Sequence, residues 1–187
     1  MVSLMSLWLP ILLSAVFVFV ASSVVHMFLS YHRNDFVKVP DEDGVMAALR
    51  PYAIPPGDYV LPHAGGPEGM RSEAFRAKVE KGPLAFFTVL PSNAMTSMGG
   101  SLMQWFLYCL VVSLFSAYLT SRTVLPGADY LAVFRVAGTV AFACYAMALA
   151  QRSIWYHQKW STTYKSMLDG LGYALLTGGA FGWLWPG

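Results

Sequence analysis

Charged residues are scarce in this sequence. Asp, Glu, Lys and Arg together make up 12% of the 187 residues, whereas a soluble domain contains about 25%. The apolar share is 56%, which excludes a disordered chain, because such chains are rich in charge and poor in apolar residues. The net charge of +2 arises from mixed acids and bases without a basic stripe, so the sequence predicts no nucleic-acid partner.

Cysteine and the known chemical motifs are also rare or missing. The two cysteines, Cys109 and Cys144, both lie inside apolar runs, which argues against a disulfide framework. The sequence has no H-E-x-x-H or C-x-x-C spacing, no G-x-S-x-G elbow and no phosphate-binding glycine loop. It therefore predicts neither a metal site nor a cofactor, and it leaves enzymatic activity open.

Apolar segments are abundant, and four of them have a length near the 20 or so residues that a helix needs to cross a bilayer. They are residues 7–29, 100–119, 130–149 and 167–185. The first is long and uncharged, which favours a retained helix over a cleaved signal peptide. We predict an all-α membrane protein, a bundle of four transmembrane helices forming a single domain over residues 1–187.

Lysine and arginine are concentrated in two of the three connections between these helices. Most lie in residues 32–99 and in the connection before the fourth helix, whereas the connection before the third helix has only Arg122. Because such residues are retained on the cytoplasmic side, we predict that both termini lie outside. Residues 32–99 would then form a small α-rich cytoplasmic segment. The composition resembles that of small multi-pass proteins of bacterial inner membranes, where we expect this protein.

Small residues recur at helical spacing along the last two predicted helices. The two sets are Gly170, Ala174, Gly178 and Gly182 on the fourth helix and Ala137, Ala141, Cys144 and Ala148 on the third. Membrane helices associate where small side chains let their backbones approach, so we predict that these two helices pack along the two stripes. The alternatives are that the glycine stripe contacts a second copy of the chain, or that it reflects only the high glycine content of membrane helices.

Ionisable residues close to the predicted helices are candidate functional groups, because charge inside a membrane is expensive. Arg135 lies a short way inside the third helix, where it can bind a lipid phosphate or a partner's carboxylate, or extend to the interface. His157 belongs to an aromatic and basic stretch that is typical of interfacial anchoring. A pocket for a lipid head group is the alternative role for this stretch.

Histidines flank the predicted inner end of the first helix. His26 and His32 are followed by Asp35 and accompanied by Arg33, a group that suits a membrane-embedded enzyme acting on a lipid or quinone-like substrate. The leading hypothesis is instead a non-enzymatic accessory or assembly protein, which sits in the lipid bilayer and binds a protein partner or a second copy. A transporter or channel subunit is the third hypothesis, but the sequence places no ionisable residue at mid-membrane depth, as an ion-coupled carrier needs.

Overall fold

The computed structural model describes residues 1–187, and the protein is mostly helical (68%). The α-helices are α1 (Trp8–Phe28), α2 (Glu42–Leu49), α3 (Pro67–Arg71), α4 (Glu73–Lys81), α5 (Gly99–Thr123), α6 (Tyr130–Tyr145), α7 (Ala150–Tyr156) and α8 (Trp160–Trp183). Short 3-10 turns occur at Leu4–Leu7, Ser30–His32, Arg50–Tyr52 and Met147–Leu149. The two strands are β1 (Gly57–Leu61) and β2 (Ala85–Val89).

Three helical stretches are long and apolar enough to cross a membrane. They are Leu4–Phe28, Gly99–Thr123 and Tyr130–Tyr156. The 21 residues of α1 extend about 31 Å at 1.5 Å per residue, which matches a hydrocarbon core of roughly 30 Å. Helix α8 has 24 residues but is not one of the three, and its N-terminal turns include the charged Lys165 and Asp169.

Contacts between Cα atoms divide the chain into two compact units. The first unit comprises Met1–Val37 and Gly99–Gly187, and the second comprises Lys38–Met98. The first unit contains α1 and α5 to α8, which include all three candidate membrane spans. The second unit contains α2 to α4 and both strands.

The first unit is a closed arrangement of four long helices. Helix α1 packs against α5 and α8, α5 also packs against α6, and α6 makes its most extensive contact with α8. The buried side chains form two groups. One contains Ala15, Val18, Cys109, Val112, Ala141, Tyr145, Tyr173 and Ala174, and the other contains Val2, Leu7, Ala117, Val124, Val133, Ala137 and Phe181.

Hydrogen bonds between side chains also join α1 to α5. The buried Ser14 hydroxyl donates to Ser113 Oγ at 2.9 Å, and Trp105 Nε1 donates to Ser22 Oγ at 2.7 Å. Small hydroxyl side chains allow a close helix contact and still supply a polar link, which is how membrane helices commonly associate.

The third and fourth long helices do not begin and end where the predicted apolar segments do. The predicted third helix is interrupted after Tyr145 by the 3-10 turn Met147–Leu149 and then continues as α7. The fourth helix begins at Trp160 rather than at residue 167, and the N–H groups of Thr162 and Thr163 donate to the Lys159 carbonyl oxygen. The predicted boundary at residue 167 is where the apolar residues begin. The helix starts earlier because the polar residues before 167 also form helical backbone hydrogen bonds.

The second unit contains a two-stranded sheet as well as helices. Strands β1 and β2 pair antiparallel, with Gly57 opposite Val89, and Thr88 Oγ1 donates to Asp58 Oδ1 at 2.6 Å. Ser72 lies between α3 and α4. Its Oγ accepts from the Phe75 N–H at 3.2 Å and caps the N-terminus of α4. The predicted α-rich segment is therefore a mixture of short helices and one two-stranded antiparallel sheet.

Candidate functional site

The glycine stripe of α8 lies against α6. A Cβ atom added to Gly178 would be 2.8 Å from the Phe134 carbonyl oxygen and 3.3 Å from the Cα of Gly138. Real Cβ atoms essentially never show contacts under 3.0 Å, so the two backbones approach to a distance that only glycine permits here.

The same close contact extends along most of α8. A Cβ on Gly182, near the end of α8, would be 2.8 Å from the ring of Tyr130 at the start of α6. A Cβ on Gly170 would be 2.9 Å from the Cβ of Ala146, just after the end of α6. Helices α6 and α8 are therefore antiparallel over the length of α6. Ala174, the remaining member of the stripe, is 2% exposed.

The predicted stripe on α6 is placed less uniformly. Ala137 and Ala141 are fully buried, Cys144 is half-buried, and Ala148 is exposed in the 3-10 turn. The residues that come closest to the glycines of α8 are Tyr130, Phe134, Gly138, Tyr145 and Ala146. The face of α6 that contacts the glycines of α8 is therefore adjacent to the face that carries the predicted alanine stripe.

Polar and ionisable side chains from the end of α1 and from the first turns of α8 meet in a group that we call the His32 cluster. Its members are His26, Tyr31, His32, Asp35, Lys165 and Asp169. His26 lies in the last turn of α1, while Tyr31 and His32 belong to the 3-10 turn that follows it. The chain bends there, so that these side chains reach α8.

His32 lies between two carboxylates. Its Nδ1 is 2.5 Å from Asp35 Oδ2 and its Nε2 is 2.7 Å from Asp169 Oδ2. Burial alone would lower the pKa of His32, but the hydrogen bonds to Asp35 and Asp169 outweigh it, and the net effect raises the pKa. A neutral imidazole has only one N–H, so contacts with two carboxylates favour the protonated ring.

Lys165 holds the second oxygen of Asp35. Its Nζ donates to Asp35 Oδ1 at 2.7 Å and to the Tyr31 carbonyl oxygen at 2.6 Å. Burial raises the pKa of Asp35, but the hydrogen bonds from Lys165 and His32 outweigh this effect, and the net pKa is lowered. Asp35 is therefore a carboxylate with both oxygens occupied, although its side chain is only 9% exposed.

Tyr31 completes the contacts of Asp169. The Tyr31 hydroxyl lies 2.7 Å from Asp169 Oδ1 and 2.8 Å from the Lys165 carbonyl oxygen, so its hydrogen is shared between two acceptors. Burial and then the hydrogen bond to Asp169 raise the pKa of Tyr31. The hydroxyl therefore stays protonated and acts as a donor.

His26 is the least constrained member of the cluster. Its ring centroid is 4.6 Å from that of His32, its side chain is exposed, and it forms no hydrogen bond. One ligand atom each from His26, His32 and Asp169 lie within 4.8 Å of one another. Two imidazoles and one carboxylate at such distances are a set of groups that can bind a metal ion.

An apolar groove between α1 and α8 adjoins the cluster. Its volume is about 470 Å³, and its lining residues are Ala21, Val25, Leu168, Asp169, Gly172, Tyr173, Leu175 and Leu176. Asp169 is the single charged residue in this lining and belongs to the His32 cluster as well. A Cβ added to Gly172 would meet no atom within 4 Å, so the groove is open at that position.

The other predicted residues lie apart from this cluster. Arg135 is exposed on α6, Arg33 is exposed beside the 3-10 turn, and His157 is an exposed residue in left-handed conformation at the end of α7. Of the three histidines that the sequence singled out, the structure thus brings His26 and His32 together in the cluster.

Sequence reasoning did not assign Lys165 and Asp169 to the site. The two residues are four positions apart and so share one face of α8, next to the start of an apolar stretch. That spacing marks them as a candidate pair, but only the contact between α1 and α8 shows that they meet His32 and Asp35.

No protein-family model, curated protein or solved structure shows significant similarity to this chain. The function is therefore inferred from the contacts of the His32 cluster and from the groove beside it.

Proposed function

We propose that the protein spans the bacterial inner membrane four times and binds an amphipathic, lipid-like or quinone-like molecule. The polar head of this molecule would contact the His32 cluster, and its apolar tail would lie in the groove between α1 and α8. The proposal depends on one observation: Asp169 lines the apolar groove and also belongs to the His32 cluster, so the groove and the cluster are continuous.

A fourth crossing is supported by the way α8 packs. Helix α8 has 24 residues, a length of about 36 Å at 1.5 Å per residue, and runs antiparallel to α6 from Gly170 to Gly182. Since α6 belongs to a candidate span, a partner packed along its length shares its depth in the bilayer. Four crossings and the lysine and arginine distribution together favour external termini and a cytoplasmic segment over residues 32–99.

The groove alone would not select a ligand in a membrane, because any lipid tail can fill an apolar groove. Its volume of about 470 Å³ is within the range of roughly 300–1,000 Å³ that small-molecule sites occupy. Selection comes from its polar end, where Asp169 and His32 can exchange hydrogen bonds with a head group. Ionisable groups close to membrane-spanning helices are candidate functional groups, because charge inside a membrane is expensive.

The accessory-protein hypothesis has less support from the same structure. In that hypothesis a partner protein docks on the glycine stripe of α8. Gly170, Gly178 and Gly182, however, already contact α6 and the residue that follows it. A partner would have to displace α6 to reach them. The lipid-like ligand needs no such rearrangement, because the groove is open.

The proposal is tested by filling the groove. Gly172→Leu places a side chain in open space on a helix that favours leucine over glycine, so we expect the fold to be retained. Ala143→Leu, at an exposed position on α6, is the matched control. Lipid extraction and native mass spectrometry of the full-length protein in mild detergent would identify the bound amphiphile and its stoichiometry.

We expect the wild type and Ala143→Leu to retain the same amphiphile at about one equivalent, and Gly172→Leu to lose at least about ten-fold in occupancy, which corresponds to 1.4 kcal/mol. Asp169→Asn should weaken selection for that head group while tail contacts persist. Equal occupancy in Gly172→Leu and Ala143→Leu, or a bound mixture no different from the bulk membrane lipid, would overturn the proposal.

A further inference from the structure

We propose that His26, His32 and Asp169 form a binding site for one divalent first-row transition-metal ion, with Zn²⁺ the ion that best suits the ligands. Two imidazole nitrogens and one carboxylate oxygen are a recurrent protein ligand set for such ions. The three ligand atoms lie within 4.8 Å of one another. This inference goes beyond the amphiphile-binding function, since metal binding requires neither the groove nor a lipid.

Only one of the three ligands has to move appreciably to bind an ion. At metal–ligand distances near 2.1 Å, the ligand atoms of a tetrahedral site are about 3.4 Å apart. His32 Nε2 and Asp169 Oδ2 are already 2.7 Å apart and need to separate slightly. His26 has to approach, and it can do so because its ring is exposed and free of hydrogen bonds.

The neighbouring groups orient the two half-buried ligands, His32 and Asp169, in the way that metal sites require. Asp35 accepts from His32 Nδ1 at 2.5 Å, which leaves Nε2 for the ion, and Lys165 holds Asp35 in place. Tyr31 donates to Asp169 Oδ1, which leaves Oδ2 for the ion. A carboxylate on the far nitrogen of a ligating histidine is the usual outer contact of a zinc site.

The ion takes the place of the proton that lies between His32 Nε2 and Asp169 Oδ2, and this proton leaves to solvent. With His32 neutral, two carboxylates and the ammonium of Lys165 have a net charge of −1, so a divalent ion changes the charge of the cluster to +1. Three protein ligands also leave a coordination position for water or for an oxygen atom of a bound head group.

Cobalt provides a direct readout of this site. Full-length protein without an affinity tag, purified in mild detergent and stripped with a chelator, would be titrated with Co²⁺ by visible absorption and then with Zn²⁺ in competition. We expect one equivalent to bind. Asp35 is not a ligand but contacts His32 Nδ1 and Lys165, so Asp35→Asn should weaken binding by about 10- to 100-fold, and His26→Gln by at least as much.

His157→Gln is the matched control, because His157 is exposed and lies outside the cluster. It should bind Co²⁺ as the wild type does, and so should Gly172→Leu, which fills only the groove. Since His26 is exposed, His26→Gln should keep the helical circular dichroism and elution volume of the wild type. The proposal is overturned if the wild type binds no stoichiometric Co²⁺, or if His26→Gln binds it as tightly as His157→Gln.

Discussion

Gly178 offers the sharpest test of the packing of α8 on α6. In Gly178→Ala the new methyl group would lie 2.8 Å from the Phe134 carbonyl oxygen and 3.1 Å from its ring. Because a backbone oxygen cannot move independently, the two helices must separate or shift. Overpacking of this kind costs about 1–3 kcal/mol, whereas replacing glycine by alanine in a helix gains about 0.5–1 kcal/mol.

Gly172→Ala on the same helix separates these two effects, since nothing lies within 4 Å of a Cβ at that position. It receives the same gain in helix propensity without a clash. The free energy of unfolding of Gly178→Ala should therefore fall below that of Gly172→Ala by about 1–3 kcal/mol. Reversible unfolding in mixed detergent micelles, followed by helical circular dichroism, measures the difference. Equal stabilities, or a more stable Gly178→Ala, would refute the close backbone contact.

Two further predictions concern polar contacts of the first unit. Lys165→Ala removes a hydrogen bond from the largely buried carboxylate of Asp35, so we expect the same unfolding assay to show a loss of about 1–3 kcal/mol. Lys159→Ala, at an exposed residue six positions before Lys165, should change stability by less than about 0.5 kcal/mol, and a similar loss in both variants would contradict a specific role for Lys165. A double-mutant cycle of Ser14→Ala and Ser113→Ala should give a coupling of about 0.6 kcal/mol, the average for hydrogen bonds between membrane helices. A coupling of zero would show that their 2.9 Å contact adds nothing to stability.

The sequence predicts the apolar helices well where composition alone decides. The first predicted helix, residues 7–29, corresponds to α1 at Trp8–Phe28, because an uninterrupted apolar run has little alternative in a membrane. Composition does not show the 3-10 turn Met147–Leu149, since the residues on both sides of it are apolar. It also does not show how far α8 extends into the polar residues before 167.

Contacts between distant parts of the chain are harder to predict. The pairing of residues 85–89 with residues 57–61 depends on register, which neither strand specifies alone. His26, His32 and Asp35 are grouped by proximity along the chain. Asp169 joins them from 134 positions beyond Asp35 only because α8 packs on α1, and hydropathy does not identify which helices are neighbours.

The proposed fourth crossing by α8 would determine on which side of the membrane the C-terminus lies, and thiol labelling of intact cells tests it directly. In a chain with Cys109→Ala and Cys144→Ala, Gly187→Cys and Glu80→Cys would each be exposed to a membrane-impermeant maleimide before and after disruption of the membrane. We predict that Gly187→Cys reacts in intact cells and that Glu80→Cys reacts only after disruption. Labelling of Gly187→Cys only after disruption would place the C-terminus on the cytoplasmic side and contradict a fourth crossing.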